Sequence, residues 1–120
     1  ERLVGSEMCI RDSANAEYYL EGEDYLMYLP EYDEPVALLY LDAQNTFVNV
    51  YGVFVDENLR GKGIGTCLMK HFLKDYFNVA SLPLILNVTS NNKAAVALYK
   101  KCGFTEASRI EYHYINCCDN

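Results

Sequence analysis

The chain has 120 residues, enough for one hydrophobic core and too few for two, and 51% of them are apolar or aromatic, which excludes a disordered or collagen-like chain. No apolar run approaches the roughly 20 residues of a membrane-spanning helix, and no basic stretch followed by an apolar segment opens the chain, so a soluble, cytoplasmic protein without a membrane partner is expected. A net charge of −7 makes nucleic acid a poor partner.

The charge is unevenly spread: Glu17, Glu21, Glu23, Asp24, Glu31, Asp33 and Glu34 have no basic residue among them, and most Lys and Arg follow residue 59. Such a stretch reads either as a solvated face or as an acidic rim that attracts a cationic amine. The five cysteines, Cys9, Cys67, Cys102, Cys117 and Cys118, show neither CxxC ligand spacing nor a disulfide framework, so reduced thiols and no metal are expected.

The chain starts with Glu, and its string LVGSEMCIRDS is similar to translated sequencing-adapter read-through. Residues 1–13 are therefore expected to be a non-native or disordered leader, with residues 14–120 forming one domain. Tyr25 to Leu29 and Pro35 to Asp42 are apolar runs separated by Pro30 and EYDEP, the pattern of a hairpin. Thr46 to Val55 is rich in β-branched and aromatic residues and supplies a third strand. From Ile64 the period changes: Ile64, Leu68, Phe72, Leu73, Tyr76 and Phe77 form one helical stripe. Leu82 to Val88 reads as a buried strand, Asn92 to Cys102 as a helix with Gly103 at its left-handed cap, and Arg109 to Ile115 as a last strand. The predicted order is β-β-β-α-β-α-β, an α/β chain.

Between the third strand and the first helix stands Arg60-Gly61-Lys62-Gly63-Ile64-Gly65. Glycines there let a bulky anion approach the backbone, and a helix N-terminus offers unpaired N–H groups and partial positive charge. The dinucleotide fingerprint needs GxGxxG and the P-loop GxxxxGK followed by Ser or Thr; neither spacing is present.

Arg60, Gly63 and Gly65 match the R/Q-x-x-G-x-G/A signature, and Asn92, Ala95, Leu98, Tyr99, Gly103 and Phe104 match the N-x-x-A-x-x-L-Y-x-x-x-G-F helix, of the GNAT (Gcn5-related N-acetyltransferase) family, which the chain resembles over residues 47–105 and more loosely over 24–116. The resemblance implies a GNAT fold, a mixed and mostly antiparallel sheet flanked by helices, whose central strands, 47–55 and 83–89, splay to admit acetyl-CoA. It implies phosphate contacts from Arg60, Gly61, Lys62, Gly63, Ile64, Gly65 and Thr66, acyl contacts from the backbone of Val53, Phe54 and Val55 with Gly52 at the irregularity that opens the strand, a pantetheine contact from Asn92, and Tyr99 as general acid to the leaving thiolate. Direct acetyl transfer to a primary amine on a small molecule or protein, with a cationic acceptor mildly favoured, is the implied reaction.

The chain departs from the family pattern twice. No carboxylate lies between Thr46 and Val55 to act as base; Asp56 and Glu57 are nearby candidates, expected in the solvated loop before Arg60. Only some twenty residues precede Tyr25, so most of the family's opening strand and two helices is expected to be missing. A catalytically silent acyl-CoA-binding module, or half of a tandem GNAT protein, is the alternative, and monomer or homodimer are both open.

Overall fold

The structure, a computed structural model, describes residues 15–89, 91–108 and 111–114. The leader expected over residues 1–13 lies outside them. The described elements are β1 (Glu17–Glu21), β2 (Asp24–Tyr28), β3 (Ala37–Ala43), β4 (Val48–Val55), a 3-10 turn (Glu57–Leu59), α1 (Ile64–Val79), β5 (Leu84–Asn87), α2 (Lys93–Lys101), β6 (Thr105–Glu106) and β7 (Glu111–Tyr114). They form one seven-stranded sheet in the order β1-β2-β3-β4-β5-β7-β6. Every neighbouring pair is antiparallel except β4 and β5, the mixed sheet that the sequence led us to expect.

Two strands go beyond that expectation. β6 is two residues long, too short to leave a periodic signal. β1, EYYLE, is short, flanked by glutamates and exposed along nearly its whole length, as suits an edge strand. Gly22, at φ 64°, makes its tight turn into β2, and Tyr18 fastens it by stacking on His71 of α1, ring centroids 3.6 Å apart and planes 10° apart.

One sheet face carries the core. Met27, Leu39, Val50, Leu84 and Leu86 alternate inward and meet Ile64, Leu68, Met69 and Phe72 of α1. Leu68 is fully buried, so Leu68→Ala is expected to cost about 2–5 kcal/mol in urea unfolding through lost transfer energy and the cavity left behind. The thiols depart from expectation at Cys67, which is disulfide-bonded, whereas Cys102 is a free, buried thiol. Among the described residues no helix is long and apolar enough to cross a membrane.

Candidate acyl-transfer site

The site begins with a defect in β4. Leu39 pairs with Val53 but Leu41 pairs with Val50, so β4 carries one extra residue across from Tyr40. Gly52, at φ 128°, stands in this bulge, in a conformation that side chains rarely adopt. The extra residue reverses which backbone groups face β5. Before it, Val48 donates its N–H to Pro83 on the β5 side; after it, Asp56 donates to Val36 on the β3 side, which by alternation turns Val53 and Val55 toward β5.

β5 is not there to receive them. Its pairing with β4 runs only from Val48 to Val50, so the two strands part at the bulge, as the resemblance implied. Side chains meet the exposed edge instead. The Val53 backbone N–H hydrogen-bonds the Tyr99 hydroxyl, and Arg60 Nε donates to the Val55 carbonyl at 3.1 Å. Phe54, the middle residue of the three predicted acyl contacts, directs its own backbone at β3 opposite Leu38; it joins the opening through its side chain.

The parted strands, the glycine turn and α2 enclose a groove of about 660 Å³, within the range of small-molecule sites. Val53, Phe54, Val55, Arg60, Gly61, Gly63, Ile64, Gly65, Thr66, Asn92 and Tyr99 all line it. Lys62 does not; it is exposed beside the turn. Sequence reading missed Leu59, Ala94, Ala97 and Lys101, which also line the groove. Helical periodicity could have flagged Ala94, Ala97 and Lys101, which follow one another at spacings of three and four along one face of α2.

Gly61 and Gly63 adopt φ 80° and 82°, and α1 starts at Gly63 without a side-chain cap or an acidic residue in its first turn. Its leading amides therefore face the groove with only the helix dipole behind them. Gly65 has a packing role besides its place in the lining: a Cβ there would stand 3.1 Å from Leu98 and 3.2 Å from Val53. Its missing side chain lets α1 approach β4 and α2, and so sets the width of the groove.

α2 is closed at both ends by its motif residues. Asn92 caps the N-terminus, its Oδ1 accepting from the Ala95 N–H at 3.3 Å, which leaves its amide NH₂ to donate. At the other end Phe104 N–H bonds the Tyr99 carbonyl at 3.0 Å and Gly103 N–H the Lys100 carbonyl at 3.1 Å, a Schellman closure with Gly103 at φ 106°. The Phe104 ring packs on Tyr99, centroids 5.9 Å apart. Tyr99 is thereby 5% exposed, and its hydroxyl lies 3.7 Å from where a Gly52 Cβ would be. Burial raises the Tyr99 pKa above its ordinary value, and the Val53 N–H offsets part of that rise.

Among the described residues, the carboxylates and histidines stay away from the groove. Asp56 caps the 3-10 turn through Asn58 N–H at 2.9 Å, and neither it nor Glu57 lines the opening. His71 is held by Tyr25 and Asp75, and His113 by Glu111 at 3.1 Å.

The profile of the Acetyltransferase (GNAT) family matches residues 6–104. The chain belongs to this family. Among GNAT relatives, the peptidyl-lysine N-acetyltransferase YjaB of Escherichia coli K12 is 34% identical over 83% of this chain and 69% of its own length. The fold is shared with the ribosomal-protein-S18-alanine N-acetyltransferase of Escherichia coli, at TM-score 0.66 and 17% identity over 91% of this chain and 86% of that one. Arabidopsis thaliana Naa50, solved in complex with the bisubstrate analogue CoA-Ac-MVNAL, matches at TM-score 0.54 and 26% identity over 75% of this chain and 69% of that one. GNAT proteins are acyltransferases, and acetyl-CoA is the family's acyl donor.

Proposed function

We propose that this GNAT chain transfers an acetyl group from acetyl-CoA directly to a primary amine, with Tyr99 as the general acid. The single observation that carries this reading is the convergence at the bulge: an unpaired strand edge, a buried phenol and an uncapped helix N-terminus border one groove.

The residues present suit the donor. Uncapped amides of Ile64, Gly65 and Thr66 with the Arg60 guanidinium suit a pyrophosphate, and the small side chains of Ala94 and Ala97 leave room for a pantetheine arm beside α2. The Val55 N–H faces the gap where a thioester carbonyl oxygen gathers charge as the amine nitrogen attacks, while the Val53 N–H beside it holds the Tyr99 hydroxyl. The C–N bond forms, the C–S bond breaks, and the sulfur takes the proton of the Tyr99 hydroxyl. A phenol suits this role because its ordinary pKa of about 10 keeps the proton in place at neutral pH, and burial raises it further. Among the described residues no carboxylate lines the groove, and the amine loses its proton to water.

Calorimetric titration with acetyl-CoA tests the reading. Micromolar binding is expected, lost in Ala94→Trp, whose indole would fill the groove from an exposed position on α2 while leaving the melting temperature within a few degrees. An Ala94→Trp variant that binds as well as the parent would place acetyl-CoA elsewhere. Binding without CoA release across a broad amine panel would favour a silent acyl-CoA module.

A further inference from the structure

The sheet face turned away from the helices carries a shelf of exposed aromatic rings beside the bulge. Tyr51 precedes Gly52 and is 51% exposed; Phe54 follows it and is 58% exposed. Phe54 also lines the groove, so shelf and groove meet at this ring. Tyr40, from β3, lies against Tyr51 with ring centroids 5.2 Å apart. Large apolar side chains left this open beside a reaction site mark a surface that receives something.

Carboxylates stand at the far end of the rings. The Tyr51 hydroxyl points to Asp42 Oδ2 at 3.4 Å, and the Tyr40 hydroxyl donates to Glu23 Oε1 at 2.7 Å. Asp42 pairs with Asn49, three residues before Gly52, which puts it about 10 Å from the bulge along the strand. The segment supplies no cation of its own: residues 15–59 contain ten Asp and Glu and no Lys, Arg or His. The described Lys and Arg, from Arg60 to Lys101, lie instead in the turn and helices around the groove. Negative charge thus faces the shelf and positive charge the groove.

The geometry points to an acceptor subsite for a linear amine that carries a second positive charge about 10 Å from its reacting nitrogen, held over Tyr40 and Tyr51 with that charge against Asp42 and Glu23. This rests on the acetyl-transfer reading of the groove and names the acceptor class for it. Ring faces attract a cation through their quadrupole and the carboxylates attract it by charge. Distance serves the chemistry as well. A carboxylate beside the attacking nitrogen would hold it protonated, whereas carboxylates at the far end of the shelf hold the second ammonium and leave the first free to become neutral.

The test is calorimetric titration of the whole chain, with CoA present, by spermidine and by n-butylamine. Spermidine is expected to bind at least tenfold more tightly. Asp42→Asn and Tyr51→Leu should each lower that preference several-fold, while Asp33→Asn, a carboxylate removed from the connection between β2 and β3, should leave it unchanged. Equal affinity for the two amines, an unaffected Asp42→Asn, or an equal loss in Asp33→Asn would overturn the subsite, the last by showing attraction to net charge alone. Titration of the same samples with acetyl-CoA separates the two readings. Acetyl-CoA binding without amine discrimination removes only the subsite, and amine discrimination without acetyl-CoA binding removes only the acetyl-transfer reading.

Discussion

Tyr99→Phe is expected to lower kcat by about 100-fold or more, the scale on which a positioned general acid contributes, while acetyl-CoA affinity changes less than about twofold. The ring is what α2 needs for packing, since Phe104 lies on it and the helix closure uses the backbone carbonyl rather than the hydroxyl. Phenylalanine keeps both. What it loses is the proton and the partner of the Val53 N–H, and one such hydrogen bond is worth about 1 kcal/mol of stability. Steady-state kinetics beside acetyl-CoA titration decides the matter. Weakened affinity with unchanged turnover would make Tyr99 a binding residue.

The pH profile adds a second readout. Burial raises the Tyr99 pKa, so the acid form persists through and beyond the ordinary phenol value of about 10. The acceptor, in contrast, must shed a proton to attack. The parent's kcat/KM should therefore rise with pH toward the pKa of the amine, with no alkaline fall below about pH 10. A fall beginning near pH 8 would mean that another group supplies the proton.

Much of this site was legible in the sequence because its parts are local. The glycine turn, the cap at Gly103 and the irregular Gly52 are each dictated by backbone conformation within a few residues, so the one-dimensional pattern exposes them. The order along the chain of five of the strands followed from alternation and turn residues in the same way. What failed to show depends on contacts distant in the chain. The amphipathic signal of β1 is nearly absent because its support comes from Tyr18 stacking on a helix 53 residues later. The packing role of Gly65 shows only once Leu98 and Val53 are brought against it. Lys62 and Arg60 are indistinguishable as nearby charges, yet Arg60 reaches back to Val55 and lines the groove whereas Lys62 does neither. Phe54 was legible as a residue of the acyl strand but not in its role, because the bulge decides which amides face outward.

Gly103→Val is expected to separate scaffold from chemistry by failing where Tyr99→Phe succeeds. Gly103 combines φ 106° with a Cβ position 2.8 Å from the Tyr114 ring. The backbone conformation alone costs a side chain about 1–3 kcal/mol, and Tyr114 has little room to yield because it packs on Phe77 of α1 and on Phe104. A total loss of about 2–4 kcal/mol is expected, read as a lower urea midpoint. Its effect should also reach the groove. Phe104 is tied to Tyr99 through both the closing hydrogen bond and the ring contact, so displacing Gly103 shifts the end of α2 that holds the phenol against the bulge. Acetyl-CoA affinity and kcat should then fall together in this variant, whereas Tyr99→Phe lowers kcat alone. If Gly103→Val lost stability yet kept full turnover, Tyr99 would be positioned by β4 and the Val53 N–H rather than by the helix closure.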